Sequence, residues 1–250
     1  LEQISFNVGP TLLEWMEREA RETYRGILAA DRASLARLGF GNAIAMPYHH
    51  IILPLASHHD KVTEVRWGIV DFRRRFGRDP IGMWLPETAV DDDTLDVVAG
   101  QGIAFTILAP HQLTTKPPFG LPGRYRTGTG RTITLFTYDG PLAHDVAFGP
   151  LIRNAEAWAG RMTGEPLPPT GPILKSVATD GETYGHHHKF GEMALAATLE
   201  MLAARPEVVI ENFASFLARH PAQHDVTIEA PSSWSCVHGV ERWRSDCGCR

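Results

Sequence analysis

Cysteine is scarce in this sequence and confined to one end. Cys236, Cys247 and Cys249 are the only three, all within the last fifteen residues. An odd, clustered set makes a poor disulfide framework, and a core without cysteine fits a reducing cytosol, so a cytoplasmic location is expected. Cys236, His238, Cys247 and Cys249 are ligand types that zinc accepts. The Cys247-Gly248-Cys249 gap is tighter than the usual one, however, and no metal or other cofactor is expected. Long apolar runs are also missing. None approaches the roughly 18 residues of a membrane span, which excludes a membrane partner of that kind. The start, Leu1 to Phe6, has neither the basic nor the apolar region of a signal peptide, and no initiator Met. Basic charge is short as well. Lys and Arg number 24 against 29 Asp and Glu, a net charge of −5, which argues against a nucleic-acid partner. The one compact basic run, Arg73-Arg74-Arg75, is expected to decorate a solvated helix end. Neither a G-x-G-x-x-G nor a G-x-x-x-x-G-K motif occurs, so a nucleotide-binding doubly wound sheet is disfavoured.

What is present is an alternation of helical and strand-like patterns. Apolar residues from Leu12 to Leu38 recur at steps of three and four, a helical period with a break expected near Gly26. His58 to Phe76 repeats that period and ends at Gly77. Asp91-Asp92-Asp93 places negative charge where a helix start favours it, and that helix is expected to run to about Ala99. Ala143 to Met162 reads as two helical pieces split at Gly149-Pro150. Phe190 to Ala204 and Asn212 to Arg219 read as further helices. Asn42 to Met46, Ile81 to Leu85, Ile103 to Leu108, Thr132 to Thr137, Ile173 to Ala178, Val208 to Ile210 and Val226 to Ile228 read as strands, and their residues are mostly apolar. Residues 117 to 130 and the proline-rich 165 to 172 read as loop.

Apolar strands alternating with helices predict a parallel sheet covered on both faces. Polar residues follow the C-terminal end of almost every strand, the rim where an α/β barrel builds its site. One domain over residues 1–250 is expected, an α/β fold of TIM-like barrel type.

The strand-end segments concentrate chemistry. They hold Pro47, Tyr48, His49 and His50; then Trp84 and Glu87; then Pro110, His111 and Gln112; then Tyr138, Asp139, His144 and Asp145. The next carries Asp180, Glu182, Tyr184 and His186-His187-His188, and Trp234 lies near the end. Seven of the twelve histidines fall in these segments. A lone strand-end carboxylate is usually a cap or an ion-pair partner. Two of them, Glu87 and Asp180, on separate strands beside Trp, Tyr and His, are the minimum equipment for cleaving a glycosidic bond. His58, His59, His220 and His224 read as solvated, and Trp15, Trp67 and Trp158 as packing.

Gly82-Met83-Trp84-Leu85-Pro86-Glu87 resembles the nucleophile motif of glycoside hydrolase family 57. Asp180-Gly181-Glu182-Thr183-Tyr184-Gly185 resembles its acid/base motif. Gly41 to Leu55, with His49 and Pro54, resembles its His-containing motif, and Tyr138 to Asp145 resembles the segment that lines its sugar site. The resemblance implies an incomplete (β/α)7 barrel that acts on α-glucans by a retaining mechanism without a metal. Glu87 would be the nucleophile and Asp180 the general acid/base. It also implies an initial His-Gln-Pro-like motif, which nothing before Ser5 supplies, and a helical region beyond Arg250, so the sequence is expected to be a fragment.

In a retaining scheme the carboxyl groups stand about 5–5.5 Å apart, one ionised and one protonated. His49, His111, His144, Asp145, Glu182 and His186 are expected to bind sugar hydroxyls. Trp84, Tyr184 and Trp234 are expected to stack on pyranose faces. Two alternatives stay open: a metal-dependent polysaccharide deacetylase using Asp180 with His186 and His188, or His49 with His50, and an inactive glucan-binding domain. Hydrolysis, transfer and branching are not separated by the sequence.

Overall fold

A computed structural model of the chain describes residues 1–164 and 171–249. Most of the connection expected over 165–172 lies outside the described residues. Contacts divide the chain into two compact units, one of Leu1–Pro117, Pro122–Phe136 and Glu211–Arg250, the other of Pro118–Leu121 and Thr137–Ile210.

The first unit opens with α1 (Pro10–Glu19) and α2 (Arg21–Leu38). The break falls at Ala20, whose φ is −135°, while Gly26 lies inside α2. Helix α3 (His58–Phe76) is capped by Ser57, which accepts the Asp60 N–H, and stops at left-handed Gly77. Helix α4 (Asp92–Gly100) is capped by Asp91, which accepts the Thr94 N–H at 2.8 Å. Asp91 and Asp93 also flank the buried Lys61 ammonium at about 3 Å. The expected acidic helix start is therefore also an ion-pair site. The basic run is only partly solvated: Arg75 is buried and donates to Asp71, Glu17 and Tyr24.

Parallel pairing joins Phe6 to Ala43, Ala45 to Met83 and Gly82 to Phe105. Residues 42–46 and 81–85 thus join a parallel sheet as bridges rather than long strands. Gly82 is required here, because a Cβ would stand 2.2 Å from the Phe105 ring. Strands β1 (Phe105–Leu108), β2 (Leu113–Thr115), β3 (Gly123–Arg126) and β4 (Thr132–Thr137) follow, then α8 (Phe213–Arg219), β5 (His224–Asp225) and β6 (Thr227–Ile228). The order of the larger sheet is β1-β4-β3-β5. Strand β3 lies in the stretch expected to be loop and pairs antiparallel with β4. The five-residue turn between them permits nothing else, since parallel neighbours need a crossover. The fold is therefore mixed α/β with a parallel core, not purely parallel. Met83, Leu85, Val90, Leu95, Leu108 and Leu135 are fully buried at its centre.

The second unit contains α5 (Gly140–Phe148), α6 (Ala155–Thr163) and α7 (Gly191–Ala203). Leu142, Val146, Ile152 and Trp158 form its core, with Val177, Tyr184 and Leu195 against it. Residues 173–178 run without strand assignment, tied by the Asp139 N–H to the Ser176 carbonyl. Residues 208–210 are irregular. Trp158 packs as expected, whereas Trp15 and Trp67 are half exposed. No described helix is long and apolar enough to cross a membrane.

Candidate active site

Glu87 sits in a tight turn, Pro86–Thr88, directly after the buried Met83 and Leu85 and the half-buried Trp84 between them. Its φ is 57° and that of Thr88 is 49°. Two successive non-glycine residues in the left-handed region are costly, and a β-branched residue there especially so. The turn is held by Gln112, which is fully buried. The Gln112 amide donates to the Thr88 carbonyl at 2.8 Å and to Ser232 Oγ at 3.1 Å. Its Oε1 accepts from Thr88 Oγ1 at 2.8 Å and from the Ala109 N–H at 2.9 Å. Both ends of one side chain thus fix the strained turn to two neighbouring segments.

The segment 231–235 completes the enclosure. Val90 and Ser232 exchange backbone hydrogen bonds, and the Trp234 N–H donates to the Glu87 carbonyl at 3.1 Å. Trp234 Nε1 donates to Glu87 Oε2 at 3.0 Å, and Ser235 Oγ donates to the same oxygen at 2.7 Å. His50 Nε2 lies 3.7 Å from Oε1. The nearby His50 first, then hydrogen bonds from Ser235 and Trp234, lower the Glu87 pKa to about 2, against the opposing effect of burial. The carboxylate is ionised at any ordinary pH and fixed in direction. Trp84 stands edge-on to Trp234, ring centres 5.2 Å apart.

Of the remaining candidates in this unit, His111 donates through Nε2 to the Ser233 carbonyl at 3.0 Å and so supports the same loop. His49 is bound through Nδ1 to Glu64 Oε1 at 2.9 Å and lies beside Tyr48 and Trp67. The structure brings Glu87, Trp84 and Trp234 together. His50, Ser235 and Gln112 complete the cluster, although the sequence did not single them out as site residues. The signal for His50 was its place in the His49-His50 pair; nothing in the sequence marked Ser235 or the buried role of Gln112.

In the second unit, Asp180 precedes a single helical turn, Gly181–Thr183, and is exposed. Its negative charge, after burial, helps push the Tyr138 phenol up to about 12. Tyr184 is bonded to Thr179 Oγ1 at 2.8 Å and stacks parallel to Trp158 at 6.5 Å, so its ring is committed to packing. Glu182 and His186 are exposed, and His186 meets His187 edge-on at 5.0 Å. His188 donates from Nε2 to the Ala147 carbonyl at 2.8 Å. On α5, Asp145 is paired with Arg161, and the exposed His144 ring rests on Phe148.

The fold recurs in solved structures. The 4-alpha-glucanotransferase of Thermococcus litoralis superposes with a TM-score of 0.73 at 19% identity, over 93% of this chain and 36% of that one. An exo-type maltose-forming amylase of Pyrococcus sp. ST04 gives 0.79 at 17% identity, over 97% and 44%. A GH57 branching enzyme of Thermococcus kodakaraensis gives 0.61 at 16% identity, over 90% and 56%. At these identities the likeness is one of fold, and the chain spans between about a third and just over half of their lengths. No curated protein matches the sequence. The family model for glycosyl hydrolase family 57 matches residues 3–227. Both acidic segments lie within that match, which covers most of the sequence, and the chain belongs to glycosyl hydrolase family 57.

Proposed function

We propose that the protein is a retaining enzyme of α-glucans, built on a (β/α)7-type incomplete barrel. Glu87 acts as the nucleophile and Asp180 as the general acid/base. The observation that carries this reading is the Glu87 carboxylate itself. Two side chains donate to it, His50 faces it at 3.7 Å, its pKa is drawn down to about 2, and a strained turn aims it. A nucleophile must be ionised before substrate arrives and must not rotate away from the anomeric carbon. In the first step a Glu87 oxygen forms a bond to the anomeric carbon, and Asp180 gives its proton to the leaving glycosidic oxygen. In the second step Asp180 takes a proton from the acceptor, which displaces Glu87. Water as acceptor gives hydrolysis; a sugar hydroxyl gives transfer or branching.

The deacetylase alternative would need Asp180 and the His triplet to gather around a metal. Among the described residues, the only group of three or more ligand atoms close enough for a metal is Cys236, His238, Cys247 and Cys249. Neither Asp180 and the triplet nor His49 and His50 belong to it.

The substrate class is supported by the glucanotransferase, amylase and branching activities of the structural relatives. Three free thiols fit work in a reducing cytosol. Product analysis on maltooligosaccharides and amylose tests the proposal. Glucose release, longer oligomers or new branches would each support it and name the acceptor. Deacetylation of an acetylated glycan, or no turnover of any α-glucan, would overturn it.

A further inference from the structure

The chain after residue 229 carries a cluster that the reaction above does not use and that lies beyond the family match, which ends at residue 227. Cys236 Sγ, a His238 ring nitrogen, Cys247 Sγ and Cys249 Sγ all lie within 4.8 Å of one another. Cys236 and Cys247 sulfurs are 3.8 Å apart, and Cys249 Sγ is 3.4 Å from His238 Nδ1. A tetrahedral zinc ion with its usual bond lengths sets sulfur–sulfur edges of about 3.8 Å and sulfur–nitrogen edges of about 3.6 Å. Two of the edges therefore already have the length that zinc would impose.

The backbone explains how so tight a spacing converges. Side chains two apart on an extended strand share a face but stand well separated. Gly248 has φ 78°, which folds the Cys247-Gly248-Cys249 segment back on itself. Gly239, at φ 79°, reverses the chain just after His238, and a Cβ there would stand 2.4 Å from the Pro231 carbonyl oxygen. Ser233 Oγ donates to the Gly239 carbonyl at 2.7 Å, and Arg242 donates to the Ser235 carbonyl at 3.0 Å. These contacts fold residues 231–249 into a knot around the four ligands. Yet this stretch has only one short helical turn, Glu241–Trp243, and buries little apolar side chain besides Cys236 and Val240. So small a structure normally needs a staple.

We propose that Cys236, His238, Cys247 and Cys249 hold a structural zinc ion that fixes the loop carrying Trp234 and Ser235 against Glu87. Three thiolates and one imidazole close the tetrahedron, leaving no position for substrate, and soft sulfur selects zinc over magnesium or calcium. Cys236 is the residue next to Ser235, so the metal anchors the segment from which two donors reach Glu87 Oε2. The ion is a positioning element; its effect on turnover rests on Glu87 as nucleophile, whereas its binding does not.

The test begins with metal analysis of the purified protein. One zinc per chain is expected, with three sulfurs and one nitrogen in its X-ray absorption spectrum. Cobalt replacing zinc should give the charge-transfer and visible bands of a tetrahedral thiolate site, a readout that needs no variant. Cys247→Ala and Cys249→Ala should lose the metal. In the same variants, and in chelated wild-type protein, kcat should fall about tenfold with KM little changed, and added zinc should restore the wild type. Three thiols that titrate freely in zinc-supplemented protein, or a disulfide among them, would overturn the site. Bound zinc whose removal leaves kcat unchanged would overturn the positioning role. Bound zinc in a protein whose Glu87→Ala variant stays active would overturn the nucleophile and leave the site standing.

Discussion

Glu87 and Asp180 both follow strand-like segments, yet the structure treats them oppositely. Glu87 stands at the end of a buried run, accepts from Trp234 and Ser235, faces His50, and is presented by two left-handed residues. Asp180 is exposed at the start of a single turn, Gly181–Thr183. The contrast fits the two proposed jobs. A nucleophile keeps one charge state and one direction, which requires fixed donors. A group that gives a proton and then takes one back must change state within each cycle, which a solvent-exposed position permits.

The contrast can be broken most severely at Glu87. Glu87→Ala should lower kcat on maltooligosaccharides by about 10⁴-fold or more while glucan binding, read by calorimetry, persists. Asp180→Asn should cost about 10²–10⁴-fold on natural glucans. The loss should shrink on an aryl glycoside whose leaving group needs no proton; an equal loss on both substrates would deny Asp180 the acid role.

Gln112→Leu probes the support rather than the chemistry. It leaves the Ala109 N–H and the Thr88 carbonyl without their partner, at a cost of about 2–4 kcal/mol, read as a lower urea midpoint with unchanged slope. The smallest effect is a shift in pH dependence. His50 is the largest cause of the lowered Glu87 pKa. His50→Ala should therefore raise that pKa from about 2 and move the acid limb of kcat/KM to higher pH, with Ser235→Ala shifting it less in the same direction. The corresponding stability is fully present above the ordinary carboxylate value of about 4.3 and is lost as pH falls through about 2.

Much of this was legible in the residues. Helix α3 and its stop at Gly77, the acidic start of α4 and the split at Gly149-Pro150 follow from period, charge and glycine. Glu87 was legible because it ends an apolar run beside Trp84. Other features depend on partners distant in sequence. Gln112 reaches Ser232 across 120 positions and Trp234 reaches Glu87 across 147, and no local pattern encodes either pairing. The packing of Tyr184 was hidden for a related reason. An aromatic beside an acid resembles a sugar platform, but Trp158, 26 positions earlier, takes its ring into the core. Strand β3 was hidden by its glycine and arginines, which suit a loop as well as a short strand.

The central claim is that Glu87 becomes covalently bonded to sugar. A 5-fluoro-α-glucosyl fluoride forms such an intermediate quickly and releases it slowly, so peptide mapping by mass spectrometry can find the label. The account predicts one fluoroglucosyl group on the peptide containing Trp84 and Glu87, absent in Glu87→Ala. A label on another carboxylate, or turnover with no label and an inverted product anomer, would contradict it.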